Sequence, residues 1–213
     1  MANPERLLFR VYGMVQTLGR PGVDGALGCC AATIGNNLEE GEYEAVELTI
    51  GERPTYDRAE IIAVSIALQW ALRIIGEADT PRGAKKRDDN DVNKKRDFEI
   101  TIYTDSRYAI MAMNYWMPHW MKDGKFVPRN SNHTPVRNKD LFQDIADIRD
   151  EILKLANVTF MYEQVPRAEV QKAYEICYGN LDEQMKDQEL GKPRVYSGAD
   201  TSLIDGDSGM NRS

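Results

Sequence analysis

An apolar stripe at helical spacing in residues 54–75 constrains the fold of this chain more than any other feature. Apolar side chains recur there every three or four residues, which is the pattern of a helix with one buried face. The stripe consists of Ala59, Ile62, Ala63, Ile66, Ala67, Trp70, Ala71 and Ile74. A face this long must be covered by a sheet or by other helices, so the neighbouring segments decide the fold class.

Five shorter segments have the composition of β-strands. Residues 6–12, 26–34 and 43–50 precede the helix, and residues 99–104 and 158–163 follow it. Each is rich in apolar or β-branched residues, and clusters of Gly, Pro and Asn separate the first three. We therefore predict five strands.

Three further helices are predicted over residues 106–113, 138–155 and 168–186, which gives the order β-β-β-α-β-α-α-β-α. This order predicts an α/β fold with a mixed five-stranded sheet flanked by helices. The first three strands should form an antiparallel meander. The last two follow helical crossovers, and we expect them to be parallel and in the middle of the sheet.

Two segments have few apolar residues. Residues 81–97 carry seven basic and four acidic side chains, and we predict a disordered polar insertion there, with a localisation signal or a basic arm for nucleic acid as alternatives. Residues 191–213 are rich in Gly, Ser and Asp and are predicted to be a disordered tail. The remaining chain, residues 1–190, is predicted to be one domain.

The overall composition limits the possible partners and compartments. The chain has 213 residues and a net charge of −7, which lowers the expectation of tight nucleic-acid binding. No apolar run reaches the roughly 20 residues of a membrane span, so no membrane partner is expected. The charged N-terminal segment does not resemble a signal peptide. Three cysteines without metal-ligand spacing indicate buried thiols, and we expect an intracellular protein, cytoplasmic or nuclear.

Four segments, in this order and spacing, resemble a type 1 ribonuclease H domain of the fungal type that lacks the histidine-bearing loop. They are "RPGVDGALGCCAATIG", "PTYDRAEIIAVSIAL", "YTDSRYAI" and "VPRAEVQKAYEICYGNLDE". The resemblance covers roughly residues 6–186. It implies an RNase H fold and cleavage of the RNA strand of RNA–DNA hybrids by two Mg²⁺ ions held by four carboxylates.

Only two of the four carboxylates that the resemblance implies are present. Glu60 matches the acid of the pattern P-T-x-x-R-A-E, and Asp105 matches that of Y-T-D-S. Met14 stands at the aspartate of V-Y-T-D-G-A, and Tyr174 at the aspartate of V-P-R-x-x-N-x-x-A-D. A thioether has no affinity for Mg²⁺, which needs several anionic oxygens. We therefore expect no metal site and no cofactor, with Mg²⁺ or Mn²⁺ bound by Glu60 and Asp105 only if nuclease activity persists.

These positions also have purely structural interpretations. Glu60 is an acid favoured at a helix N-terminus, and Asp105 with Ser106 can cap the next helix. Met14 and Tyr174, facing each other across the cleft, can extend the core. Arg58 can pair with Glu60 or Asp105 and so replace the charge of the lost cations.

The resemblance also implies residues that contact the backbone of a nucleic-acid substrate. The candidates are Thr17, Arg20, Thr55, Tyr56, Arg58, Ser106 and Arg107. A modest phosphate track is predicted from Arg20, Arg107, Lys122, Lys125 and Arg129. Trp116 and Trp120 are interpreted as core anchors rather than as stacking platforms for bases.

Three classes of function remain. The favoured one is a catalytically degenerate RNase H-like protein that binds nucleic acid, weakly, as RNA–DNA hybrid or double-stranded RNA, or that binds a protein partner. The second is an enzyme of different chemistry, with a small molecule in the remodelled cleft and Glu60 and Asp105 as an acid–base pair. The third is a hybrid-cleaving nuclease with a rearranged metal site. Its replacement ligands would come from Asp24, Glu169, Glu175 or Asp182.

Overall fold

The structure is a computed structural model, which describes residues 3–16, 26–35, 41–48, 54–78, 95–122, 125–129, 134 and 136–189. In chain order the elements are β1 (Glu5–Gln16), β2 (Leu27–Ile34), β3 (Glu42–Leu48), α1 (Tyr56–Ala78), β4 (Asp97–Thr104), α2 (Arg107–Met111), a π-helical turn (Ala112–Trp116), α3 (Met117–Trp120), β5 (Met121–Lys122), β6 (Lys125–Phe126), α4 (Lys139–Leu155), β7 (Asn157–Gln164), a 3₁₀ turn (Arg167–Val170) and α5 (Gln171–Glu189).

The main sheet has five strands in the order β3-β2-β1-β4-β7. β1, β2 and β3 form an antiparallel meander, and β4 is parallel to both β1 and β7. The prediction of a mixed five-stranded sheet is confirmed. The prediction that both parallel strands lie in the middle is wrong for β7, because β1 already pairs with β2 on its other side and the second crossover adds β7 outside β4.

The helices cover the sheet on both faces. α1 and α4 pack on one face, where Phe9 and Val11 of β1 join the main core. α5 packs on the other face, where Tyr12 and Met14 join a second apolar cluster. Successive side chains of β1 therefore point to opposite faces of the sheet, as the two-residue repeat of a strand requires.

The helix α1 is a core helix. By length and composition alone it is apolar enough to cross a membrane, but 61% of its most apolar window is buried inside the domain. Trp120 is also buried in the main core, with its ring against Phe126 and Phe142. Trp116 is half-buried against the same core. The interpretation of both tryptophans as core anchors is confirmed.

The end of the predicted polar insertion is ordered. Arg96 stacks on the ring of Phe98, with its guanidinium carbon 5.0 Å from the ring centroid, and it pairs with Glu5. It also donates a hydrogen bond of 3.3 Å to the carbonyl of Ala78, and Asp97 begins β4. The prediction of disorder is wrong for residues 95–97, because an arginine can stack its planar group on an aromatic ring and pair its charge at the same time. Residues 81–94 and 191–213 lie outside the described residues.

Candidate functional site

The four positions singled out by the sequence meet at one edge of the sheet. Met14 lies near the C-terminal end of β1, and Asp105 directly follows β4, its parallel neighbour. β7 ends beside them, because Gln164 pairs with Thr104. Residues that follow β4 and β7 are therefore brought together at this edge, where crevices of open α/β sheets form.

Glu60 is held at the start of α1. The Thr55 side chain caps this helix by accepting a hydrogen bond of 3.2 Å from the Arg58 amide. The Ser106 hydroxyl donates to the Glu60 carboxylate at 2.5 Å and accepts from the Ala109 amide at 3.0 Å. Ser106 thus caps α2 and fixes Glu60 with the same oxygen, which confirms its predicted capping role.

The electrostatic setting of Glu60 raises the pKa of its carboxyl. Burial is the main cause that raises the pKa of Glu60, and the charges of Asp57 and Asp105 raise it further. The hydrogen bond from Ser106 opposes these effects because it stabilises the carboxylate. Asp105 is therefore near enough to Glu60 for the two carboxylates to repel each other.

Asp105 forms an ion pair with Arg167. The Nε of Arg167 donates to the Asp105 carboxylate at 2.6 Å. The Asp105 side chain is 18% exposed and that of Arg167 is 54% exposed. The guanidinium carbon also lies 4.8 Å from the ring centroid of Tyr12 and 5.3 Å from that of Tyr174. Arg167 thus contacts both Asp105 and Tyr174, which stand at two of the four positions where the resemblance implies a carboxylate.

Met14 and Tyr174 belong to the apolar layer under α5. The rings of Tyr174 and Tyr12 are perpendicular, with centroids 5.4 Å apart, and burial raises the pKa of Tyr12 to about 12. Met14 and Tyr174 both pack on one cluster of buried residues. The cluster consists of Tyr12, Leu27, Cys29, Ala31, Val170, Ala173, Cys177 and Leu181. The interpretation that both side chains extend the core is confirmed.

The side chains at this edge do not fit a pair of magnesium ions. Such ions need several carboxylate oxygens, whereas Asp105 is engaged by Arg167 and Glu60 by Ser106. Within the described ranges, no three Asp, Glu, His or Cys side chains lie close enough together to hold a metal ion. Among the possible replacement acids, Glu175 accepts a hydrogen bond from Gln171, Asp182 pairs with Lys186, and Glu169 is exposed. Asp24 lies outside the described residues.

The predicted role of Arg58 is wrong. Its guanidinium pairs with Asp140 at 2.7 Å rather than with Glu60 or Asp105, because the start of α4 lies beside the start of α1. Arg167, which the sequence patterns did not identify, supplies the cation at Asp105 instead. The signal was present, since Arg167 follows β7 by three residues and parallel strands bring their C-terminal ends to one edge.

The predicted substrate contacts divide into three groups. Tyr56 and Arg107 are exposed near the starts of α1 and α2, and Thr55 is half-buried there. Ser106 is buried, and its hydroxyl is already used by Glu60 and Ala109. Thr17 and Arg20 lie outside the described residues. Of the predicted phosphate track, Lys125 and Arg129 are exposed on and after β6.

Sequence comparisons match this chain to one family. The family model described as RNase H matches residues 23–162, a segment that contains Glu60 and Asp105 but neither Met14 nor Tyr174. A ribonuclease H of Schizosaccharomyces pombe is 28% identical over 166 residues, which cover 78% of this chain and 47% of the relative. A ribonuclease H of Francisella philomiragia is 35% identical over 68 residues, which cover 32% of this chain and 40% of the relative. The chain thus spans less than half the length of these relatives.

Solved structures of the same fold are also similar to this chain. The N-terminal RNase H domain of rv2228c from Mycobacterium tuberculosis, solved as a fusion with maltose binding protein, superposes with a TM-score of 0.51 at 14% identity. The match covers 86% of this chain and 99% of that one. A foamy viral protease-reverse transcriptase in complex with RNA/DNA hybrid gives a TM-score of 0.53 at 17% identity, over 81% of this chain and 19% of the viral one. At these sequence identities, the similarity to the solved structures shows a shared fold and no more.

Proposed function

The chain belongs to the RNase H family, and we propose that within this family it binds nucleic acid without cleaving it. The observation that carries the proposal is the place of Tyr174, whose ring packs on the apolar cluster and against the guanidinium of Arg167, the ion-pair partner of Asp105. This arrangement neutralises one of the two remaining family carboxylates with a side chain of the protein itself.

The chemistry of the cleft supports the absence of cleavage. A guanidinium donates hydrogen bonds but has no acceptor and does not lose its proton in proteins, so it cannot activate a water molecule. The family pattern V-P-R also has an arginine at this place, so the decisive difference is Tyr174, whose ring packs against the guanidinium. An aspartate at residue 174 would instead add a negative charge beside Asp105.

The binding part of the proposal has separate support. A protein of the same fold was solved in complex with RNA/DNA hybrid, which makes the hybrid the first probe to use. Arg107, Lys125 and Arg129 are exposed cations on α2 and around β6. The net charge of −7 leads us to expect weak, strongly salt-dependent binding, because duplex binding depends on the release of counterions from phosphates.

Cleavage of a labelled RNA–DNA hybrid, with Mg²⁺ and then with Mn²⁺, tests the first part. The native chain is compared with a Met14→Asp, Tyr174→Asp double variant whose folding is checked by circular dichroism. We expect no cleavage by the native chain. Cleavage by the native chain that Asp105→Asn abolishes would refute the proposal and favour a nuclease with a rearranged metal site. Cleavage by the double variant alone would show that the substrate groove is intact around an inactive site.

Fluorescence anisotropy of the same hybrid at increasing salt tests the second part. We expect Arg107→Glu to weaken binding, since a cation near the site becomes an anion. Lys154→Glu is the matched control, because Lys154 is an exposed cation in the last turn of α4, before the N-terminal end of β7 and so at the opposite edge of the sheet. Absence of binding to hybrid, to double-stranded RNA and to single-stranded RNA would refute the proposal. The protein-partner and small-molecule alternatives would then take its place, the latter with Glu60, whose pKa is raised, as its acid–base group.

A further inference from the structure

We propose that α5 carries a stacking site for unpaired nucleobases next to the inactive cleft. The site is formed by three rings, Tyr12, Tyr174 and Tyr178, which we call the tyrosine row, and by the guanidinium of Arg167 at its inner end. This inference rests on the proposed function and names the form of nucleic acid that one part of the surface recognises.

The rings of the tyrosine row are in continuous contact. Tyr174 and Tyr178 are four residues apart on α5, so they lie on the same flank of the helix. Their rings stack with planes 26° apart and centroids separated by 6.1 Å. Tyr174 in turn meets Tyr12 edge to face, and Tyr12 is buried. The row therefore begins in the core at Tyr12 and ends at the surface at Tyr178.

The outer end of the row is open. Tyr178 is 57% exposed although its ring lies beside that of Tyr174, so much of its side chain is open to solvent. The next residue is Gly179, and apart from its chain neighbours and the backbone of its own helix, no heavy atom of the described residues lies within 4 Å of the position that a Cβ there would take. A flat ring anchored by stacked neighbours, with free space beside it, is the arrangement on which a base can stack.

The inner end of the tyrosine row offers hydrogen-bond donors to a phosphate. Arg167 bonds Asp105 through Nε, so its two outer nitrogens are not part of that hydrogen bond, and its side chain is 54% exposed. Among the acids that follow along α5, Asp182 is paired with Lys186, whereas Glu175 accepts a hydrogen bond from the neutral amide of Gln171 and keeps its charge. A phosphate of a bound strand would therefore be held at the inner end of the row, by the outer nitrogens of Arg167.

The shape of the site favours an unpaired base over a duplex. In a duplex each base already stacks on its neighbours, whereas a single strand can place a base on an exposed ring. Recognition by stacking is tolerant of sequence because every base has a π-face. With about one phosphate contact, the logarithm of affinity should fall with the logarithm of salt with a slope of only about −0.7.

The test uses a short adenosine-rich RNA that contains the fluorescent base 2-aminopurine, the same RNA with abasic positions, and an RNA–DNA hybrid. We expect the native protein to quench the fluorescent base and to bind the abasic strand more weakly. Tyr178→Ser should weaken binding of the single strand roughly 5- to 150-fold, which is the range for loss of one stacked base, and leave binding of the hybrid unchanged. Tyr43→Ser is the matched control, because Tyr43 is 58% exposed and lies on the edge strand β3.

The outcomes separate this inference from the proposed function. Hybrid binding without single-strand binding would overturn the stacking site and leave the proposed function intact. Binding of neither would refute both. Equal affinity for the abasic strand, or equal losses for Tyr178→Ser and Tyr43→Ser, would also overturn the stacking site, since the rings would then contribute nothing specific. Binding of a peptide rather than of RNA by the tyrosine row would overturn it as well.

Discussion

Gly13 of β1 lies so close to Ala59 of α1 that a Cβ on residue 13 would stand 2.3 Å from the carbonyl carbon of Ala59. It would also stand 2.5 Å from the backbone nitrogen of Glu60. These are backbone atoms, so they can move aside only if the helix moves. The next residue along β1 is Met14, and Glu60 follows Ala59 in α1. A single close approach therefore positions two of the four residues of the cleft relative to each other.

Replacement of Gly13 by alanine should destabilise the protein severely. The added methyl group has no flexible side chain to displace, so α1 must shift away from the sheet, and we expect a loss of about 3 kcal/mol in the free energy of unfolding. Urea denaturation followed by circular dichroism measures this loss. Gly179→Ala is the control, because the position of a Cβ on Gly179 in α5 is open. Alanine there should raise the free energy of unfolding by about 0.5–1 kcal/mol. A Gly13→Ala variant as stable as the native protein would contradict the close packing.

The ion pair between Asp105 and Arg167 should show measurable coupling. In a double-variant cycle of Asp105→Asn and Arg167→Gln, we expect a coupling energy of about 1 kcal/mol or less, because Arg167 is half exposed and solvent screens the pair. The pair of Asp182 and Lys186 is more exposed on both sides and should give a smaller coupling energy.

Thermal or urea unfolding of the four proteins in each cycle supplies both coupling energies. High salt should reduce each of them, since it screens partly exposed charges. Independent effects of the two substitutions at Asp105 and Arg167, with no coupling at low salt, would show that the ion pair does not contribute to the folded state in solution.

Most of the fold could be predicted because its signals are local and periodic. The apolar stripe predicted α1, and the three strand-like segments before it predicted the meander of β1, β2 and β3. The two strand-like segments after the stripe predicted β4 and β7. The position of β7 could not be predicted, since either side of a parallel strand accepts a new partner and the strand patterns do not distinguish them. The hairpin of β5 and β6 was missed because strands of two residues have no periodicity to detect.

The cleft was predicted less completely than the fold. Sequence patterns identified Glu60, Asp105, Met14 and Tyr174, and these positions do meet at one edge of the sheet. The partner of Asp105 was not identified, because Arg58 and Arg167 are both suitable by chemistry. Which arginine pairs with Asp105 depends on Asp140 of α4, because Asp140 forms an ion pair with Arg58. Such competition between distant segments cannot be detected in the local sequence pattern of either segment.

Asp140 and Asp144 lie one turn apart in α4, and removal of their charges should change the stability of the protein in opposite directions. Burial, and then the charges of Asp140 and Asp147, raise the pKa of Asp144, while Arg58 lowers it. A carboxyl with a raised pKa in the folded state binds its proton more tightly there than in the unfolded chain. Stability therefore falls as the pH rises through that range. Asp140 is instead paired with Arg58 in the first turn of the helix, where a negative charge is favourable.

We expect Asp144→Asn to raise the free energy of unfolding at neutral pH by roughly 0.5 kcal/mol, a small value because the carboxyl is only partly buried and solvent screens its charge. The gain should disappear below the ordinary aspartate pKa of about 3.9. Asp140→Asn should lower stability at neutral pH by about 0.5–1 kcal/mol. Urea titrations of both variants across this pH range provide the measurement. A stability gain from Asp144→Asn that persists at acidic pH would mean that the effect is not electrostatic.

The three thiols should be inert in the folded protein. Cys29, Cys30 and Cys177 are all buried. The Cys177 thiol lies 3.5 Å from the backbone oxygens of Tyr12 and of Cys29. Its hydrogen bonding with Cys29, together with burial, raises the pKa of the Cys177 thiol, so little of the reactive thiolate forms.

A chromogenic disulfide reagent should therefore label the native protein only at the rate at which it unfolds. All three thiols should react at once in concentrated urea. Gly179→Cys provides the matched control, since it places a thiol on the exposed surface of α5, the same helix that buries Cys177. That variant should react immediately with one equivalent of reagent. Labelling of a native thiol at the rate of the added one would show that the layer between α5 and the sheet opens without unfolding, and that Met14 and Tyr174 are not held in a closed core.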